Sequence, residues 1–343
     1  MSSHESISKL WLLLHVPPFI VFVFILIIPG NTIFLISNNN YFSTTSNFAY
    51  GQQQPKNQMK SNNITDSLDI QSILSKKVHV GDVDIAYKTI GKGDPILLIS
   101  GSGNVMDVWP PFMLEELSSN HTVIIFDNRG VGNTTSGTRP FSIQQFANDT
   151  IGLLDVLKIQ RADVLGFSMA SFIAQELTLT HPEKVNRLIL YGASCGGQEN
   201  IPQSPEVIRA LSDFVNNRTQ DIETFLSVTF PPEWIKEHPN YLETIPKTTE
   251  IVPPTTLMQQ FNAVEKWLDT NWRGVCSQLQ NISKPTLIIT GTEDVAVPAA
   301  NSLILVQKIP RAWLVQMKGA GHGLMYQYPD EFSSILLTFL STT

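Results

Sequence analysis

Val164-Leu165-Gly166-Phe167-Ser168-Met169-Ala170-Ser171-Phe172 joins a short apolar run to a segment with helical spacing. The spacing predicts a strand through Val164-Leu165 and a helix over Ser168–Thr180, stopped by Pro182. Between them a serine stands among small residues. That composition suits a sharp strand–turn–helix bend that lifts a hydroxyl above the edge of a sheet. A bare Gly-x-Ser also makes ordinary turns, so the flanking strand and helix carry the reading. The first N–H groups of the helix point back at the serine.

Outward from this turn the chain alternates. Upstream, Lys77–Val80 and Val83–Thr89 read as a hairpin around Gly81-Asp82. Ile96–Ile99 is an apolar strand ending in Ser100-Gly101-Ser102-Gly103, and Thr122–Phe126 one ending in Asp127-Asn128-Arg129-Gly130. Phe141–Leu157 has helical spacing. Downstream come strands at Arg187–Tyr191, Pro285–Ile289 and Ala312–Met317, then an amphipathic helix over Pro329–Leu340. Strands that are apolar on both faces and separated by helices indicate an α/β fold with a mostly parallel sheet covered on both sides. Reactive groups then gather in the loops after the carboxyl ends of the strands.

Between Gly197 and Leu257 the rhythm breaks, with proline at 202, 205, 231, 232, 239, 246, 253 and 254 among short helical pieces. Residues 198–257 are expected to form an inserted helical cap, leaving 76–197 and 258–343 as the core.

The first part of the chain reads differently. No Asp, Glu, Lys or Arg occurs from Leu10 to Pro55, and Phe19–Ile28 is apolar throughout. Residues 1–51 are therefore expected to be a signal peptide, with a cleavage site at Ala49-Tyr50-Gly51, or an uncleaved membrane anchor. Either implies an extracytoplasmic protein, secreted or held at the outer face of the membrane. Residues 52–75 read as a polar linker. Six Asn-x-Ser/Thr sequons, at Asn63, Asn120, Asn133, Asn148, Asn217 and Asn281, slightly exceed chance and lean the same way.

Composition excludes several classes. The 343 residues are 42% hydrophobic and 15% charged, unlike a disordered polyelectrolyte. With 23 Lys+Arg against 30 Asp+Glu the net charge is −7, which lacks the footprint of a nucleic-acid binder. Two cysteines, Cys195 and Cys276, allow one disulfide but neither a disulfide scaffold nor a multi-Cys zinc site.

A serine hydroxyl is a weak nucleophile until a base takes its proton. His322, in Gly319-Ala320-Gly321-His322-Gly323 just after the last predicted strand, is the candidate base. An imidazole needs an orienting acid, and Asp294, after the strand that ends near Thr290, is preferred over its neighbour Glu293. An Asx turn is the plainer role for that aspartate. Two N–H groups must meet the developing oxyanion. Met169, which follows the nucleophile, and Ser102, in the glycine-rich loop, are the choices. No Gly-Lys-Ser/Thr follows that loop, so a P-loop is unsupported. Asp127 and Arg129 read as structural.

With these motifs in order, residues 77–341 resemble the α/β-hydrolase superfamily with a helical cap. The resemblance rests on the glycine loop, Asp127-x-Arg129-Gly130-x-Gly132, the serine elbow and the separate Asp and His motifs. It implies about eight strands with the second antiparallel. Two departures stand out. The loop begins Ser100-Gly101 where His-Gly is usual, and the elbow ends at Ala170-Ser171 where glycine is usual. Ser168 disfavours the carboxylate-nucleophile branches, epoxide hydrolases and haloalkane dehalogenases.

The expected activity is cleavage of a small-molecule carboxylic ester or lactone through an acyl-enzyme on Ser168, with no metal and no organic cofactor. Met106, Trp109, Trp234, Tyr241, Phe261 and Trp267 are candidate pocket residues, with hydrophobic core as their plainer role. Perhydrolysis, acyl transfer or carbon–carbon bond hydrolysis on the same triad are alternatives, as is a binding protein with little turnover.

Overall fold

The computed structural model describes residues 12–16, 19–28, 31–37, 68–216 and 222–342. The main body is built on strands β4 (Lys76–Val80), β5 (Val83–Ile90), β6 (Asp94–Ile99), β7 (His121–Phe126), β8 (Ala162–Phe167), β9 (Val185–Tyr191), β10 (Thr286–Gly291) and β11 (Ala312–Met317). They lie in the order β4-β5-β7-β6-β8-β9-β10-β11. The second, β5, runs antiparallel to both neighbours, and β7, β6, β8, β9, β10 and β11 are mutually parallel. This is the expected mostly parallel sheet of eight strands.

Helices cover both faces. Because side chains alternate along a strand, Leu97 and Ile99 of β6 enter one core, with α2 (Ile143–Val156), α3 (Met169–Thr180) and α8 (Ala300–Lys308). Ile96 and Leu98 enter the other, with α1 (Pro111–Ser118), the short α9 (Leu324–Gln327) and α10 (Pro329–Leu340). β8 and β10 are buried along their whole length, the signature of strands covered on both sides. Between β9 and β10 the chain adds α4 (Pro205–Asn216), α5 (Ile222–Thr229), α6 (Pro232–Glu237) and α7 (Pro254–Leu268). The segment between α4 and α5 lies outside the described residues.

The N-terminal expectation is corrected by the structure. The apolar run is sheet: β1 (Leu12–Val16), β2 (Phe19–Ile28) and β3 (Asn31–Ser37) form an antiparallel extension beyond β11. In it Val16 stands opposite Phe19, and Ile28 opposite Asn31. β3 pairs with β11 from Ile33↔Met317 to Ser37↔Trp313. The physical reason lies in composition. Phe, Ile and Val favour the pleated surface, and Pro17-Pro18 and Pro29-Gly30 punctuate the run at turn spacing. Among the described residues no helix is long and apolar enough to cross a membrane. The signal-peptide and membrane-anchor readings, the secreted or outer-face location and the membrane contact drawn from them are withdrawn. The suggested cleavage site lies outside the described residues. So does most of the expected linker, of which Ile70 is buried and gives its carbonyl to Lys88 Nζ at 2.9 Å.

Two links tie distant parts of the body. Arg129 is buried and forks onto Asp149 (Nε–Oδ2 2.8 Å, Nη2–Oδ1 2.7 Å) and Asp82 (Nη2–Oδ1 2.8 Å). This arginine and the backbone N–H groups of Arg139 and Thr138 hold the Asp82 carboxyl far below the usual carboxylate range, against the opposing cost of its burial. Cys195, after β9, is disulfide-bonded to Cys276, beyond α7, across 81 residues of chain.

Removing one partner of a buried charge cluster strands the others. Arg129→Ala is expected to lower unfolding free energy by about 3–5 kcal/mol, read by urea denaturation. A loss under 1 kcal/mol would show that the two carboxylates find other partners. Opening the 81-residue loop in the Cys195→Ser/Cys276→Ser double variant is expected to cost about 2–5 kcal/mol, read as a fall in Tm that reducing agent does not deepen.

Candidate active site

Ser168 sits where β8 meets α3, with φ 56° and ψ −124°, a region that residues with a Cβ rarely adopt. Three local features over-determine it. Ser168 N–H donates to Tyr191 O at 2.8 Å, and Ser171 N–H to Ser168 O at 2.8 Å. At Gly166 a Cβ would lie 2.2 Å from Ala170 O, so glycine alone lets strand and helix approach this closely. Ala170, where glycine is usual in the family, is fully buried in the core beneath the turn.

His322 and Asp294 are brought together: Nδ1 and Oδ2 stand 2.8 Å apart, both residues buried. The other oxygen, Asp294 Oδ1, accepts Val297 N–H at 2.8 Å. The turn role and the imidazole role weighed against each other in the sequence are thus both filled, one by each oxygen. Glu293 is exposed. Gly192, at φ 59°, leaves room for the pair, since a Cβ there would meet His322 Cε1 at 2.8 Å. The imidazole lies over Phe167, ring centroids 5.0 Å apart, so it stands beside the serine turn. Among the described residues the Ser168 hydroxyl forms no hydrogen bond.

The loop after β6 stands against the turn: a Cβ on Gly101 would lie 3.0 Å from Ser168 Cβ. Ser102 Oγ donates to Met169 Sδ at 3.2 Å, which brings the two expected oxyanion-hole residues into contact. Gly103 N–H is already taken by Gln260 Oε1 at 2.9 Å. Ser102 N–H and Met169 N–H, the latter in the unsatisfied first turn of α3, have no partner among the described residues. Asn128 Nδ2 donates to Ser100 O at 3.0 Å, and Ser100 Oγ to Asn104 O at 3.3 Å, steadying a loop that lacks the usual histidine.

Asp127 is structural, as its sequence suggested. It accepts Met106 N–H at 2.7 Å and Asn133 N–H at 3.0 Å beneath the loop. Burial pushes its carboxyl up to about 6 against those two hydrogen bonds.

The candidate pocket residues are not gathered into one pocket. Met106, Trp109 and Trp234 belong to the α1/α10 core, with Tyr241 against it; Trp267 belongs to the α2/α3 core; Phe261 packs on a third cluster with Val105 and Leu257. Trp109 meets Phe167 edge-on at 6.5 Å, and Trp234 stacks on Phe230 at 5.2 Å. A cavity of about 130 Å³ lined by Ile143, Ala263, Trp267 and Trp272 lies away from Ser168. No group of three or more His, Cys, Asp or Glu is placed to hold a metal among the described residues.

Sequence reasoning missed Tyr191. Its ring stacks on Phe167 at 4.6 Å, its phenol donates to His322 O, and burial raises the phenol well above its ordinary range. One residue thus braces both the serine turn, through its carbonyl, and the histidine loop, through its hydroxyl. It missed Gln327 as well, whose Oε1 accepts Gly321 N–H at 2.7 Å. Neither carries a sequence signal beyond its place near a strand or helix end.

Comparison with known proteins agrees with this fold. Residues 94–329 match the family model described as alpha/beta hydrolase fold, and the chain belongs to that family; it is a hydrolase. It is similar to the putative carbamate hydrolase RutD of Azorhizobium caulinodans, 30% identical over 264 residues, 76% of this chain and 96% of that one. It is also similar to the putative non-heme bromoperoxidase BpoC of Mycobacterium tuberculosis, 27% identical over 76% of this chain and 98% of that one. A solved N-acyl homoserine lactone degrading enzyme superposes with a TM-score of 0.63 at 26% identity, over 77% of this chain and 100% of that one.

Asp127 gives a pH signature. Its folded value lies above the ordinary carboxylate value, so the stability it contributes is present below about pH 4 and lost as pH rises through about 6. The stability difference between wild type and Asp127→Asn is expected to shrink by about 3 kcal/mol from pH 4 to 7, measured by denaturant unfolding. A difference that is constant with pH would contradict the raised value.

Proposed function

We propose that this hydrolase cleaves a carboxylic ester or lactone through an acyl-enzyme on Ser168. The observation that carries the reading is the buried Asp294–His322 pair lying over the residue next to a serine in a strained turn. His322 takes the Ser168 proton as the hydroxyl attacks the carbonyl carbon, and Asp294 orients the ring and stabilises its charged form. The oxyanion rests on the N–H groups of Met169 and Ser102. His322 then protonates the leaving alcohol, and water releases the acyl group by the same route. Neither a metal nor an organic cofactor takes part. Residues 198–257 act as the cap over this site. Trp109, beside Phe167, and Trp234, beside Phe230, are kept as pocket candidates.

The similarity to a lactone-degrading enzyme supports this substrate class. A second reading, carbamate cleavage, is favoured by the name of the 30% identical relative and uses the same attack on a carbonyl. Perhydrolysis would need only that peroxide replace water in deacylation, and the bromoperoxidase name of another relative keeps it in view.

The test is a panel of esters, lactones and carbamates, with and without hydrogen peroxide, given to the full chain beside Ser168→Ala. Ester or lactone turnover is expected, with kcat at least about 10³-fold lower in the variant. Turnover that survives the substitution would remove Ser168 as nucleophile. A preference for carbamates would replace the ester reading with the second.

A further inference from the structure

Helix α7 lies across the oxyanion side of the site. Thr256 Oγ1 donates to Gly130 O at 3.0 Å, and the Leu257 side chain lies against Gly103. One turn on, Gln260 Oε1 accepts Gly103 N–H at 2.9 Å. Further on, Ala263 and Trp267 enter the core that holds Met169 and Phe172, with Trp267 stacked on Phe172 at 5.6 Å. The buried stripe of α7 therefore runs from the glycine loop to the start of α3, the two elements that carry Ser102 and Met169.

Gln260 is fully buried, and its Nε2 has no hydrogen-bond partner among the described residues. The amide orientation is not arbitrary. Gly103 offers a donor, so the oxygen must face it and the NH₂ must face elsewhere. A buried donor without an acceptor is costly, and this one is attached to the group that steadies the oxyanion loop.

The two ends of a substrate fall on different sides of the site. The leaving group must lie toward His322, which protonates it. The histidine loop is flanked by the junction of α5 and α6: Gly323 N–H donates to Thr229 O at 2.9 Å, and a Cβ on Gly321 would meet Pro231 Cδ at 2.8 Å. The oxyanion loop is flanked by α7. On the ester-hydrolase reading, an acyl chain extending away from His322 would run toward α7.

We propose that Gln260 is a specificity-determining residue that reads the acyl chain. Its Oε1 holds the oxyanion loop, and its Nε2, closed off from solvent by the side chains packed over it, donates to an acceptor oxygen near the scissile carbonyl once a bound acyl group parts them. The substrate class is then narrower than alkyl esters: oxo- or alkoxy-substituted acyl esters and lactones. This rests on the ester-hydrolase reading above.

The experiment uses two chain-matched pairs of p-nitrophenyl esters, methoxyacetate with butyrate and 4-oxopentanoate with 4-methylpentanoate. Each kcat/KM is divided by the ester's own rate of alkaline hydrolysis. Wild type is expected to favour the oxygen-bearing member of at least one pair by roughly tenfold. Gln260→Glu keeps an acceptor for Gly103 N–H and removes the donor; Gln260→Met removes both. Each is expected to lower that preference at least about fivefold. The ratio is independent of the fraction of variant that folds. Parity in both pairs for wild type, or a preference unchanged in both variants, overturns the assignment while leaving the hydrolase reading intact. Absence of wild-type turnover on all four esters overturns both.

Discussion

The site depends on the strain held at Ser168. A non-glycine residue at positive φ costs on the order of 1–3 kcal/mol and persists only where its surroundings allow nothing else. Here the carbonyl of Tyr191 captures the serine N–H, α3 begins immediately, and Gly166 lets the backbone of α3 approach β8. Released, the turn would put a Cβ-bearing residue back into extended or helical backbone and move the hydroxyl off the sheet edge. The alternation of β-strands and helices that buries β8 on both faces is thus also what holds Ser168 up at the sheet edge.

Tyr191 couples this turn to the His322 loop. It lies at the end of β9, the strand beside β8, so its carbonyl reaches Ser168, while its phenol reaches the loop after β11 and donates to the His322 carbonyl. The imidazole is then held from two directions, by Tyr191 through its backbone and by Asp294 through its ring. Asp127, the other buried carboxylate near the site, serves the scaffold: it binds two backbone N–H groups under the loop and faces no histidine ring. Similar side chains at the ends of similar strands take different roles because of what the next loop presents to them.

The insertion between β9 and β10 is not a uniform cover. The junction of α5 and α6 packs on the histidine loop, and α7 packs on the glycine loop. The disulfide between Cys195 and Cys276 closes the base of this insertion, beside the point where it leaves and rejoins the sheet. Two different parts of the insertion thus brace two different loops of the site.

Much of this was legible in the order of residues, because local periodicity and turn chemistry act over a few positions. Ala312–Met317 and Pro329–Leu340 were read to their ends, and the serine turn, Asp294 and His322 were picked out by their places after predicted strands. The apolar run at Phe19–Ile28 was misread, since unbroken hydrophobicity has no period to separate helix from strand. What settles it is antiparallel pairing with β3, which itself lies against β11 more than 270 residues further along the chain. The same holds for the cysteine pair, the Tyr191 brace and the Gln260 contact with Gly103, which join residues 81, 131 and 157 apart. Composition and spacing carry which elements form and what chemistry their ends offer. Which ends meet, and which buried donor is left unpaired, is decided by packing between segments that have no knowledge of one another along the chain.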